Sequence, residues 1–60
     1  MGEKLKAARK AAGMTQAQLA EAIGCTQKDV SRWENGQREP KATTLKKLAQ
    51  ALGCSMDDLV

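Results

Sequence analysis

One short phrase occurs three times in this chain of 60 residues: GMTQAQL at 13–19, GCTQKDV at 24–30 and GCSMDDL at 53–59. Each copy carries a hydroxyl residue that suits the N-cap of a helix, because its oxygen accepts a hydrogen bond from a free N–H of the first turn. These residues are Thr15, Thr26 and Ser55. The residue three places later can reach back to the cap's own N–H and complete a capping box. In the three copies it is Gln18, Asp29 and Asp58.

The rest of the phrase also marks a junction between helices. An apolar residue before the cap and another at the fourth helical position have the spacing of a hydrophobic staple. These pairs are Met14 with Leu19, Cys25 with Val30, and Cys54 with Leu59. The glycine that opens each copy suits the left-handed conformation that ends a helix. The phrase therefore predicts three junctions that separate four helices.

A further junction lies at residues 34–44, where Asn35-Gly36 favours a turn and Pro40 disfavours helix at the residue before it. Apolar residues recur at helical spacing in the segments between the junctions. The predicted helices cover residues 3–12, 16–23, 27–35, 42–52 and 56–59. Because 60 residues make one small core, we expect a single all-α domain, a compact five-helix bundle over residues 1–60.

Composition narrows the classes of function. No apolar run approaches the roughly 18 residues of a membrane span, and the first ten residues lack the apolar core of a secretory signal, so a cytoplasmic protein is expected. The formal net charge of +3 favours a polyanionic partner. The chain has no His and no plausible activated nucleophile, so we predict neither enzymatic activity nor a cofactor.

The two cysteines, Cys25 and Cys54, are expected to be buried, reduced thiols in the staples. A disulfide or redox switch remains open if the two junctions lie close together. Two Cys without His leave half of a tetrahedral zinc site unfilled unless two chains share it, so no metal is predicted.

The second and third helices are joined by only Gly24, Cys25 and Thr26, which predicts a steep crossing and hence a helix-turn-helix. Residues 16–33 follow the pattern Q-x-x-L-A-x-x-I-G-x-x-x-x-x-V-x-x-W. The segment VSRWENG overlaps the end of this pattern, and Pro40 and the segment LAQALGCS follow it. The sequence closely resembles the lambda-repressor-like, Cro/repressor-type (XRE) family of helix-turn-helix DNA-binding regulators, from about residue 5 to residue 59. The resemblance implies a repressor-like transcriptional regulator that binds double-stranded DNA with its third helix in the major groove.

Geometry supports the same interpretation of the third helix. At about 100° per residue, Val30 and Trp33 point to the core and a sector of roughly 140° on the other side is polar. Gln can pair with adenine, Arg or Lys with guanine, and Ser with a base or a phosphate. The candidate base-reading residues are Gln27, Lys28, Ser31 and Arg32. A merely solvated face is the alternative.

Phosphate contacts are expected to bracket this helix. The candidates are Gln16, which resembles the family's backbone-clamping position, and Asn35, Arg38 and Lys41. Ordinary loop charges are the alternative for Arg38 and Lys41. The resemblance also implies a structural ion pair between Arg9 and Glu34, with an Arg9–phosphate contact as the alternative.

One recognition helix reads few base pairs, so we expect a homodimer on two half-sites about 34 Å apart. The apolar chain end, with Met56, Leu59 and Val60, is either the dimer contact or part of the core. The competing function is a protein-interaction adaptor that keeps the fold without reading DNA. An adaptor need not keep four polar residues together on one face of the third helix, as this chain does with Gln27, Lys28, Arg32 and Asn35.

Overall fold

The computed structural model describes residues 2–60, and every regular element in this range is helical. The elements are α1 Gly2–Ala11, α2 Gln16–Ile23, α3 Gln27–Glu34, α4 Ala42–Leu52 and a 3₁₀ helix at Met56–Leu59. They pack into a body of 23 × 21 × 19 Å. The all-α prediction is confirmed. Within the same range, no helix has the length and apolar character needed to cross a bilayer.

The predicted count of five helices is not confirmed, because the last element is a single 3₁₀ turn and the described residues form four α-helices. A segment of four residues is too short to gain much from i→i−4 bonds, whereas an i→i−3 bond closes within it. The Asp58 N–H donates such a bond to the Ser55 carbonyl at 3.1 Å. The predicted bounds of α2 and α4 agree with the structure, while α1 begins and ends one residue earlier than predicted. The α3 helix ends at Glu34, with Asn35 as its C-cap.

Capping boxes form at the starts of α2 and α3. The Gln18 N–H donates to Thr15 Oγ1 at 3.1 Å and the Thr15 N–H donates to Gln18 Oε1 at 2.9 Å. At α3 the Asp29 N–H donates to Thr26 Oγ1 at 3.2 Å, and the Thr26 N–H donates to Asp29 Oδ2 at 3.4 Å. Before these caps and before the 3₁₀ helix, the chain reverses at glycines with φ between 69° and 78°: Gly13, Gly24 and Gly53. The repeated phrase therefore ends one helix and begins the next at all three places.

The core lies where the four helices and the 3₁₀ turn meet. Its fully buried side chains come from every element: Leu5, Leu19, Val30, Leu48 and Leu59. The burial of Leu59 assigns it to the core, so it offers no surface for a dimer contact. Of the other two residues of the chain end, Met56 packs partly buried against the core and Val60 is 50% exposed.

The cysteines pack against the core but are only partly buried, which is less than expected. Both are free thiols. Desolvation raises the pKa of the Cys25 thiol above its usual 9.0, and the neighbouring Asp29 carboxylate raises it further. The pKa of the Cys54 thiol is raised by desolvation and by Asp58 in the same way. A raised pKa keeps a thiol protonated and unreactive near neutral pH.

The start of α1 lies directly against the end of α3. A Cβ atom added at Gly2 would overlap the carbonyl oxygen of Glu34 and come within 2.8 Å of the carbonyl oxygen of Trp33. Backbone atoms cannot move aside as a flexible side chain does. The absence of a side chain at Gly2 therefore lets α1 support the C-terminal end of α3.

Candidate nucleic-acid interface

The α3 helix has one buried face and one polar, accessible face. Val30 is fully buried and Trp33 is 9% exposed, and both belong to the core. On the other face Gln27, Lys28 and Arg32 are exposed and Ser31 is partly exposed. The four predicted base-reading residues thus lie together on the accessible face, with the first two in the first turn of the helix. The cap at Thr26 fixes the direction in which that first turn points.

Positive charge collects along α3 and the loop that follows it. The structure of residues 2–60 contains one ion pair, Arg9–Glu34, so the cations of the α3 face and the loop have no carboxylate partner within 4 Å. These cations are Lys28, Arg32, Arg38 and Lys41, and all four side chains are exposed. Exposed cations without an ion-pair partner attract a polyanion at little desolvation cost.

The loop after α3 is tied to the end of that helix. The Gln37 and Arg38 N–H groups both donate to the Arg32 carbonyl, at 2.9 and 3.4 Å. Arg38 and Lys41 then line one shallow surface cleft beside Asp29 and Trp33. The predicted phosphate-contacting cations of the loop are therefore held next to α3.

The side chain of Asn35, a further predicted phosphate contact, is exposed and donates from Nδ2 to Ser31 Oγ at 3.4 Å. Because this bond occupies a lone pair of the Ser31 oxygen, the hydroxyl proton is free to point away from Asn35. Ser31 therefore presents a donor on the accessible face of α3.

Arg9 and Glu34, the residues implied as an ion pair, are in contact in the interior. Arg9 Nε donates to Glu34 Oε2 at 2.7 Å, and Arg9 Nη2 donates to Glu34 Oε1 at 3.3 Å. The side chains are 10% and 2% exposed, respectively. Arg9 Nη1 also donates to the Met14 carbonyl at 2.7 Å, a bond that the sequence does not signal because every residue offers a carbonyl. One guanidinium thus joins α1, the turn before α2, and the end of α3.

Among the four predicted phosphate contacts, Gln16 differs from Asn35, Arg38 and Lys41, which are all exposed. It is the first residue of α2, is partly buried, and donates from Nε2 to Glu34 Oε1 at 3.1 Å. Sequence reasoning placed Gln16 near the interface but did not anticipate this bond. The residue therefore belongs both to the surface beside α3 and to the buried polar network.

Comparisons with known proteins were consistent with this geometry. The sequence model of a family described as helix-turn-helix matches residues 5–59. The search of curated proteins gave no match. Among solved structures, the P22 c2 repressor in complex with synthetic operator 9T is 37% identical with a TM-score of 0.92, and the match covers 98% of this chain and 89% of that chain.

Two further solved structures show how far the likeness extends. The restriction-modification controller protein C.AhdI from Aeromonas hydrophila is 34% identical with a TM-score of 0.92, covering 98% of this chain and 89% of that chain. HppE, crystallised with cobalt(II) and its substrate, is 39% identical with a TM-score of 0.89. That match covers 97% of this chain but only 33% of HppE. The proteins matched over most of their length are a repressor and a controller protein, and the HppE match concerns one part of a longer chain.

Proposed function

The chain belongs to the lambda-repressor-like (XRE) helix-turn-helix family, and from this premise we propose that it is a sequence-specific, repressor-like transcriptional regulator that binds double-stranded DNA. In this proposal residues 1–60 act as one DNA-binding domain in the cytoplasm, with α3 in the major groove. The observation that carries it is the division of α3 into a buried face and an accessible face with four adjacent hydrogen-bonding side chains. The operator complex of the related P22 c2 repressor supports the same partner.

Each residue of the accessible face has a distinct chemical role. Gln27, in the first turn, presents a donor and an acceptor that match the N7 and N6 positions of adenine. Lys28 and Arg32 present donors that match N7 and O6 of guanine, and Arg32 can do so with two parallel bonds. Ser31 lies between them and donates to a base or a phosphate. These side chains discriminate among base pairs.

Phosphate contacts set the register of α3 in the groove. Arg38 and Lys41 flank the helix on one side, and Asn35 extends from its C-terminal end. Gln16 approaches from the start of α2, where the Gln18 N–H is capped by Thr15 and the earlier N–H groups have no intrahelical partner and favour an anion. Such contacts add affinity without sequence preference and make binding sensitive to salt.

A homodimer is part of the proposal, because one eight-residue helix spans too few base pairs for strong specificity. Two copies with α3 helices about 34 Å apart read two half-sites on the same side of the duplex. The controller and repressor relatives support a regulatory role. At the chain end Leu59 is buried and Met56 is partly buried, so Val60 is the exposed apolar residue.

Selection of bound duplexes from a randomised DNA pool, at low and at moderate salt, tests the proposal. We expect a motif with two symmetric half-sites and binding that weakens steeply with salt. Lys28→Ala should change the motif, whereas Lys46→Ala, which removes an exposed charge from α4, should leave it unchanged. No enrichment at either salt by a chain whose circular dichroism shows it folded would contradict DNA reading and favour an adaptor.

A further inference from the structure

The buried polar network has a feature that stability alone does not require. Glu34 Oε1 accepts two hydrogen bonds, from Arg9 Nη2 at 3.3 Å and from Gln16 Nε2 at 3.1 Å. The carboxylate is 2% exposed, whereas Gln16 is partly exposed at the start of α2. The network therefore reaches the surface at one side chain, and that side chain borders the DNA-binding face.

We infer that Glu34 is a positioning residue for DNA binding: it fixes the amide of Gln16 so that a free N–H, and not the carbonyl oxygen, faces a DNA phosphate. This inference rests on the proposed function. It assigns to the buried ion pair a second role, which is to set the direction of a surface hydrogen-bond donor.

The chemistry of the partners determines the orientation of the amide. The oxygen and nitrogen of a Gln side chain are ordinarily hard to distinguish, and the orientation follows from the hydrogen bonds. An ionised carboxylate accepts bonds and has none to donate, so the NH₂ group of Gln16 must face Glu34. Arg9 supports this arrangement, because its guanidinium also only donates hydrogen bonds and makes two of them to the same carboxylate.

The amide nitrogen has a second hydrogen, which Glu34 does not use. A DNA phosphate also only accepts hydrogen bonds, so it requires this N–H and is repelled by the amide oxygen. A free Gln side chain samples both orientations and several rotamers, and ordering it on binding costs free energy. With Glu34 in place that ordering is present before DNA arrives, so Glu34 contributes to affinity without touching DNA.

A double-mutant cycle tests the inference on duplexes selected by the wild-type chain. Gln16→Ala should weaken binding about tenfold, the loss expected for a hydrogen bond to a charged acceptor. Glu34→Gln should weaken binding several-fold in the wild-type background and have little effect in the Gln16→Ala background. The matched control is Gln50→Ala, the same substitution at an exposed position of α4, which should combine with Glu34→Gln as independent factors.

The measurements are made at a temperature where circular dichroism shows all variants folded. Equal effects of Glu34→Gln with and without Gln16 would overturn the positioning role and leave only a structural one, and so would an unchanged affinity of Gln16→Ala. If the wild-type chain selects no duplex, the proposed function fails and this inference fails with it. Wild-type binding with an additive cycle contradicts the inference alone.

A second measurement needs no destabilising substitution. In ¹⁵N–¹H spectra of the wild-type chain, the side-chain NH₂ signals of Gln16 are identified by their loss in Gln16→Ala. One Gln16 NH₂ proton should have a chemical shift different from those of the Gln18 NH₂ group, which makes no bond in the capping box. Added duplex should change the chemical shift of the other Gln16 proton. Signals of Gln16 that coincide with those of Gln18, or that ignore the duplex, would overturn the inference even if Glu34→Gln does not fold.

Discussion

Replacing Arg9 with Met should destabilise the domain far more than removal of a surface charge does. The substitution keeps an unbranched side chain of similar length but deletes the donors at 2.7 and 3.3 Å from Glu34. The carboxylate, 2% exposed, is left with Gln16 as its side-chain donor, and the Met14 carbonyl loses its bond from Arg9. A buried charge without its partner is therefore created.

The expected loss is about 3–5 kcal/mol, the range for breaking a buried ion pair by removal of one partner. A domain of this size has a free energy of unfolding of about 3–9 kcal/mol, at roughly 0.05–0.15 kcal/mol per residue. The substitution thus removes between about a third of the stability and all of it. With a urea m-value near the lower end for small domains, about 1 kcal/mol/M, the unfolding midpoint falls by about 3 M or the chain unfolds without denaturant.

Urea denaturation followed by Trp33 fluorescence measures this loss, since Trp33 is the single tryptophan and is 9% exposed in the folded chain. Lys10→Met is the matched control, because Lys10 is the next residue, is exposed, and should change stability by no more than about 0.5 kcal/mol. Adding Glu34→Leu to Arg9→Met should recover stability by removing the unpaired charge. A midpoint for Arg9→Met equal to that of the Lys10→Met control would refute the reasoning.

Three further predictions follow from contacts elsewhere in the chain. Gly2→Ala should lower the thermal midpoint by several degrees, because the added Cβ overlaps the backbone at the end of α3; an unchanged midpoint in calorimetry would contradict that contact. Thr26→Ala should cost about 1 kcal/mol in urea denaturation by removing the N-cap of α3, and Thr43→Ala, exposed within α4, should cost less. Alkylation of Cys25 and Cys54 by iodoacetamide at pH 8 should be slower than that of a free thiol and should accelerate as pH rises beyond 9, since a raised pKa leaves less thiolate. Rates at pH 8 equal to those of free cysteine would show that burial does not suppress the thiols.

The helix junctions could be predicted because their signals are local. A cap hydroxyl, a return side chain three residues later and a glycine act within one turn, so residues 16–23 and 42–52 were predicted with the observed bounds. The last segment was predicted with the right residues but the wrong helix type. The same capping signal precedes an α-helix or a 3₁₀ turn, and a segment of four residues favours the turn because an i→i−3 bond closes in fewer residues.

Contacts between distant segments left little or no trace in the sequence. The close approach of Gly2 to the end of α3 joins residues far apart in the chain, and the N-terminal glycine gives no sign of it. The Arg9–Glu34 contact was expected from the family resemblance, because a charge on the inner stripe of α1 does not identify its partner. The bond from Gln16 to Glu34 depends on how α2 and α3 cross, which local patterns do not specify.

The roles of the α3 face and the flanking cations remain predictions from side-chain chemistry, exposure and family membership. Exposure decides which residues are accessible, and it separates Gln27, Lys28 and Arg32 from the buried Val30 and Trp33. Exposure does not decide which base each residue contacts. That depends on the position of the helix in the groove, which the phosphate contacts set.

The most direct test of the central claim, that the accessible face of α3 reads DNA sequence, is to compare the motifs selected by the wild-type chain and by Arg32→Ala. The account predicts that Arg32→Ala loses its preference at one base position in each half-site, at a cost of about 1–3 kcal/mol, while Lys46→Ala selects the wild-type motif. An Arg32→Ala chain that remains folded and selects the wild-type motif with wild-type strength would contradict it.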